Sequence, residues 1–177
     1  MDVRWLTAKS ERLVADVLER RLDVGFIGLW EGEGVQGVQH RLLAREALVA
    51  VLPPTHRLAG HGQLTLADLV QEVLVDFPEG TGARRQTDEA FQAAGLQRRV
   101  QFEIGHVRLV EKFVQRGMAI GLVPERVAQG FDGVARVQLL DAPVRHLYAI
   151  WSAHPTPAAR AFLALMEQRL GALEHRR

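Results

Sequence analysis

The chain has 177 residues, 47% of them hydrophobic and 24% charged, which is ordinary for a protein that buries a real core. Its 22 basic and 21 acidic residues leave a formal charge of +1, and pairs such as Arg98-Arg99 and Arg176-Arg177 are short and isolated. That balance excludes the basic stripe of a nucleic-acid-binding domain, and the absence of cysteine excludes disulfides and thiolate metal sites.

Only 6% of the residues are aromatic, so Val, Leu and Ala must fill the core. No charged start followed by an apolar run opens the sequence, and no apolar stretch approaches the ~20 residues of a membrane helix. A soluble, cytoplasmic protein without membrane contact is expected.

Short β-rich runs alternate with runs of helical period along the chain. Val3–Leu6 reads as a strand, and Ser10–Arg21 as a helix with Leu13, Val14, Val17 and Leu18 on one face and Ser10 as its N-cap. Leu22–Leu29 is a strand nearly continuous in apolar residues, as expected when both faces are covered. Glu31–Gly37 is a polar, Gly-rich loop, and Ala47–Leu52 a strand stopped by Pro53-Pro54. Thr65-Leu-Ala-Asp68 has the pattern of a capping box opening a short helix. Val73–Asp76 is a strand, Phe77–Gly82 a loop, and Ala83–Ala94 a helix ended by Gly95. A strand at Val100–Ile104, a helix at His106–Arg116 and a strand at Met118–Val123 follow. Ala135–Leu140 and His146–Ser152 read as strands, and Pro157–Leu170 as a last helix with Pro in its first turn. Such alternation means α/β architecture with mostly parallel sheets. Ligands of open α/β sheets bind beyond the strand carboxyl ends, which singles out the loops after Leu6, Asp76 and Ile104.

Gly80-Thr81-Gly82 stands between a strand and a helix. Its backbone N–H groups, with the positive end of the following helix, suit an anion; a tight turn that needs Gly for its dihedrals is the other account. Arg84 and Arg85 lie in the first helical turn, where cations oppose the dipole, so either one has a partner or both are solvated. Gly32-Glu-Gly34-Val-Gln-Gly37 matches the spacing of a dinucleotide fingerprint. Neither the required helix nor the acidic residue about 20 positions on follows it, and no cofactor is expected. His56 and His61 lack a third ligand nearby, so no metal site is expected either. No nucleophile elbow, Walker loop or His-Glu-x-x-His occurs, and nothing points to catalysis.

Four segments, taken in order, resemble the LysR family of transcriptional regulators. Leu13–Gly28 (LVADVLERRLDVGFIG) resembles its helix–Leu-Asp–strand segment, and Ala47–Ala59 (ALVAVLPPTHRLA) its strand followed by Pro, His and Leu-Ala. Leu64–Arg85, containing Pro78-Glu-Gly80-Thr81-Gly82, is similar to the "Leu-x-Asp-Leu … Pro-Gly-Ser-Gly" stretch. Val110–Ala128 is similar to the "Val-x-x-Gly-x-Gly-Ile-x-Leu-x-Pro" run, with Ala119 where the second Gly usually stands. The resemblance implies a type-II periplasmic-binding-protein-like fold of two Rossmann-like lobes with an effector in the cleft. Lobe one would be residues 1–45 plus 154–177, and lobe two residues 46–153.

The resemblance further implies effector contacts from Thr7, Lys9 and Ser10, from Gly80, Thr81 and Gly82, and from Gly105, His106 and Val107. His40 falls near a family position that carries a ligand-pairing cation. The sequence opens at what resembles the second strand of lobe one. The first strand and helix of that lobe, and the winged helix-turn-helix, are therefore expected to be missing. On this resemblance the chain is no enzyme but an effector-sensing domain that binds a small carboxylate or other anion. It would self-associate as a homodimer or higher homo-oligomer, and meet DNA only through the absent helix-turn-helix. The alternative is a solute-binding protein of a transport system on the same fold.

Overall fold

The computed structural model of the chain describes residues 4–30 and 34–174. Chain order is α1 (Ser10–Leu18), β1 (Val24–Trp30), β2 (Gln39–Leu52), β3 (Gln63–Leu64), a 3-10 turn (Leu66–Leu69), β4 (Leu74–Asp76), α2 (Gly82–Ala93), β5 (Val100–Glu103), α3 (Val107–Gln115), β6 (Ile120–Pro124), α4 (Glu125–Gln129), β7 (Ala135–Leu139), β8 (Val144–Trp151) and α5 (Pro157–Glu174). Two compact units result: Met1–Ala44 with His146–Arg177, and Arg45–Arg145.

In the second unit the strand order is β3-β7-β2-β6-β4-β5. β4 runs parallel to both β5 and β6, and β3 parallel to β7, while β2 is antiparallel to β6 and β7. The sheet is buried on both faces because the apolar residues of β2 alternate between them. Leu48, Ala50 and Leu52 join Leu66 and Leu69 of the 3-10 turn, Leu74, Phe91 of α2 and Ile120. Val49 and Val51 join Val75, Val110 and Val114 of α3, and Ala128 of α4. Gly121 has no room for a side chain: a Cβ there would lie 2.8 Å from Val110 Cγ1. The expected capping box is present, with the Thr65 N–H donating to Asp68 Oδ2 at 2.7 Å. Glu111, buried on α3, accepts the Asp132 N–H at 2.9 Å. That hydrogen bond, aided by Arg108, holds its carboxyl below the usual range against the opposing effect of burial.

In the first unit the strand order is β1-β8-β2. Leu13 and Val17 of α1 pack on Ile27, Val38 and Ile150. Phe26, pointing the other way from β1, meets Phe162 of α5 edge to face at 6.3 Å. Arg41 and Glu167 pair at 2.6 Å between β2 and α5.

Several expectations are corrected. Residues 4–9 form no strand, and Trp5 is 81% exposed. Apolar and β-branched residues report a fit to a half-buried pleated surface, and no sheet strand lies along these described residues. The first helix stops at Leu18 rather than Arg21 because the chain turns at Arg20, whose φ is 58°. The buried Asp16 fixes that turn: its carbonyl accepts the N–H groups of Arg21 and Leu22. Its carboxylate takes the side chains of Arg21 and Arg12, which hold its pKa below the usual range. Lys9, not Ser10, is the N-cap of α1. β2 begins at Gln39, eight residues before the expected Ala47, its exposed first half lacking the apolar run that marks a buried strand. Neither β3 nor α4 was expected. The expected loop at Glu31–Gly37 lies in part outside the described residues; from Gly34 to Val38 the chain has no helix or strand.

Candidate functional site

The second unit gathers two of the predicted loops. β4 and β5 are adjacent and parallel, with Asp76 opposite Glu103, so their carboxyl ends lie side by side. The Ile104 N–H donates to the Asp76 carbonyl at 2.9 Å. The loops that follow these ends, Phe77–Thr81 and Ile104–His106, open α2 and α3 respectively.

At the first loop the chain reverses through Gly80, whose φ of 76° is open to Gly at little cost. Thr81 is the N-cap of α2. Its hydroxyl donates to the Pro78 carbonyl at 2.8 Å and accepts the Arg84 N–H at 3.3 Å. With its proton spent on Pro78, the hydroxyl has none left for an anion. The first-turn N–H groups of Gly82 and Ala83 have no intrahelical acceptor and remain the donors of this loop. At the second loop His106 caps α3, its Nδ1 accepting the Arg108 N–H at 3.3 Å. A neutral ring bonded in this way carries its proton on Nε2, and the ring is exposed. Gly105 is exposed with open space around it. The Val107 side chain packs toward the α3 core, which leaves its first-turn N–H as its polar contribution.

A buried polar network lies beneath the loops, and only its Arg84 was flagged in the sequence. Asp76, 3% exposed, accepts the Phe77 N–H at 2.7 Å, the Thr87 hydroxyl at 2.6 Å and Arg98 Nη2 at 2.6 Å. Arg98 also donates to Asp88 at 2.7 Å and stacks 5.1 Å from the Phe91 ring centroid. A carboxylate ending an apolar strand was the available signal, because a buried charge needs a partner. Arg84 does have partners: Glu103 at 2.8 Å, Asp88 at 3.0 Å and Glu79 at 3.6 Å. Burial works against its charge, and the bonds to Glu103 and Asp88 more than offset it, so its pKa rises.

The predicted residues of the first unit are arranged differently. Ser10 is half-buried at the start of α1 and donates to the Gly28 carbonyl of β1 at 3.4 Å, a long bond that leaves the hydroxyl easily redirected. It therefore lies against the later part of β1 instead of following a strand. Thr7 and Lys9 are exposed, and Lys9 supplies no side-chain cap to α1. His40 lies on β2 with its ring edge to face against Tyr148 at 5.6 Å.

No group of three metal-ligating side chains occurs among the described residues, and no described helix is long and apolar enough to cross a membrane. A shallow groove of 510 Å³ at the opposite end of α2 is lined by Asp88, Phe91, Gln92, Gly95, Leu96, Gln97 and Arg98.

Doubly wound α/β units with loops of this kind define a periplasmic-binding-protein-like ligand-binding domain, and the solved structures agree. HinK, a LysR family transcriptional regulator from Pseudomonas aeruginosa, superposes with a TM-score of 0.76 at 26% identity, over 94% of this chain and 59% of that one. The effector-binding domain of QuiR in complex with shikimate gives a TM-score of 0.72 at 18% identity, over 89% and 76%. That of BenM with its effector benzoate gives 0.71 at 21%, over 90% and 78%. The model of the LysR substrate binding domain matches residues 1–171, and the chain belongs to that family. Among curated relatives, the HTH-type transcriptional regulator YwbI of Bacillus subtilis is 29% identical over 147 residues, 80% of this chain and 48% of the relative. MJ0300 of Methanocaldococcus jannaschii, also an HTH-type transcriptional regulator, is 25% identical over 162 residues, 88% and 54%. The chain thus spans about half the length of the curated relatives it matches. They are transcriptional regulators, neither enzymes nor transport proteins, which disfavours the transport alternative.

Proposed function

We propose that this chain senses a small carboxylate or comparable anion on behalf of a DNA-binding transcriptional regulator. The observation that carries it is the pairing of two helix N-termini, those of α2 and α3, at the carboxyl ends of adjacent parallel strands. Together they offer the N–H groups of Gly82, Ala83 and Val107, and each helix dipole adds a partial positive charge. The effector is held by the Gly80–Gly82 backbone and by Gly105, His106 and Val107. Thr7, Lys9, Ser10 and His40 of the first unit are further candidate effector contacts, put forward on the family resemblance alone. Shikimate and benzoate, the ligands of two structural relatives, are both carboxylates, which supports this ligand class.

On the same reading the regulator works in the cytoplasm as a homo-oligomer and grips DNA through a helix-turn-helix segment outside this chain. The near-neutral charge supports that division of labour, since phosphate neutralisation supplies most non-specific affinity.

Calorimetric titration with a panel of carboxylates and their neutral amides tests the proposal. A carboxylate is expected to bind and its amide to bind far more weakly. Ser10→Ala is expected to weaken the carboxylate by about ten- to hundredfold, one hydrogen bond to a charged group being worth roughly 1.5–3 kcal/mol. Equal affinity for acid and amide would refute the anion, and unchanged affinity in Ser10→Ala would remove Ser10 from the site.

A further inference from the structure

We infer that Arg84 is a positioning residue that couples the two effector loops of the second unit. The functional half of this inference rests on the reading above. Arg84 Nη1 donates to the Phe77 carbonyl at 3.3 Å and to Glu103 Oε1 at 2.8 Å, while Nε donates to Asp88 Oδ1 at 3.1 Å. Phe77 opens the loop that leads to α2, and Glu103 is the last residue of the strand that leads to α3. One guanidinium therefore bonds the first loop and the strand residue that leads directly into the second.

The placement has an electrostatic cost. A cation in the first turn of α2 opposes the helix dipole, and Arg84 is also nine-tenths buried. Its three carboxylate neighbours offset that cost and at the same time occupy its charge, so Arg84 contributes geometry and the backbone N–H groups meet the effector. The planar fork of arginine sends N–H groups along fixed directions to a carbonyl and two carboxylates, which an ammonium on a flexible stem does not reproduce. Asp76 supplies a rigid floor beneath both loops, bonding the Phe77 N–H through its carboxylate and the Ile104 N–H through its carbonyl.

Residue-resolved hydrogen exchange on the wild-type chain and on Arg84→Met, Arg84→Lys and Glu103→Gln tests the coupling. Arg84→Met is expected to speed exchange at both Phe77 and Ile104 by about tenfold, the equivalent of one lost hydrogen bond. The core amides of Leu122 and Val123 should keep their wild-type rates. Arg84→Lys should behave like Arg84→Met, and Glu103→Gln should show a smaller increase at the same two amides. Three results would overturn the inference: Ile104 unchanged in Arg84→Met, restoration of both amides by Lys, or equal acceleration of the β6 amides, which would mark general loosening. Benzoate titrated against the same proteins is expected to lose about tenfold in affinity wherever the loops loosen. Failure of the wild type to bind any carboxylate counts against the effector reading alone, because the exchange rates decide the role of Arg84 without a ligand.

Discussion

Replacing Arg98 with alanine is expected to lower the stability of the second unit by about 3–5 kcal/mol, because it strands a buried carboxylate. Asp76 is almost fully enclosed, and the Arg98 side chain is 5% exposed, so neither charge is compensated by water. Asp76 would retain the Thr87 hydroxyl and the Phe77 N–H, which solvate it in part but do not neutralise it. Denaturant melts of wild type and Arg98→Ala measure the difference. A loss below about 1 kcal/mol would place the pair among ion pairs that contribute little. Removing both partners in a well-packed Asp76→Leu/Arg98→Met double variant should recover much of the loss, as replacement of a buried pair by apolar groups often does.

Phe91→Ala is expected to cost about 3–5 kcal/mol, by removing a large buried side chain and leaving a cavity. Phe91 is 1% exposed and anchors α2 to the sheet face it shares with Leu66, Leu69 and Leu74. Loosening α2 there should also disturb the loop at its N-terminus. Since Arg98 lies over the Phe91 ring, the two substitutions should combine non-additively in a double-mutant cycle. Strict additivity would show that the contact contributes nothing.

Periodicity made most of the helices and strands of the second unit legible, because sheets buried on both faces read as unbroken apolar runs. Val73–Asp76 and Met118–Val123 were found within two residues for that reason. The short elements escaped it: the two residues of β3 and the five of α4 are too few to show a period. The expected strand at Val3–Leu6 shows the opposite failure: its described residues, 4–6, form no strand. In the candidate site, Gly80 and Gly82 announced a turn before a helix. The hydroxyl of Thr81, however, proved to be committed to capping. The network of Asp76, Arg84, Arg98 and Glu103 joins residues far apart in sequence, and no local pattern pairs them. Arg98 looked like half of an isolated basic pair, and only the fold brings it beneath Asp76.

The most direct test of anion sensing at these loops is a 15N–1H NMR titration of the chain with the carboxylate that binds best in calorimetry. The predicted result is saturable shifts centred on the amides of Gly82, Ala83 and Val107, absent when the matching amide is titrated. Shifts centred instead on Gly95, Leu96 and Gln97, in the groove at the opposite end of α2, would contradict it.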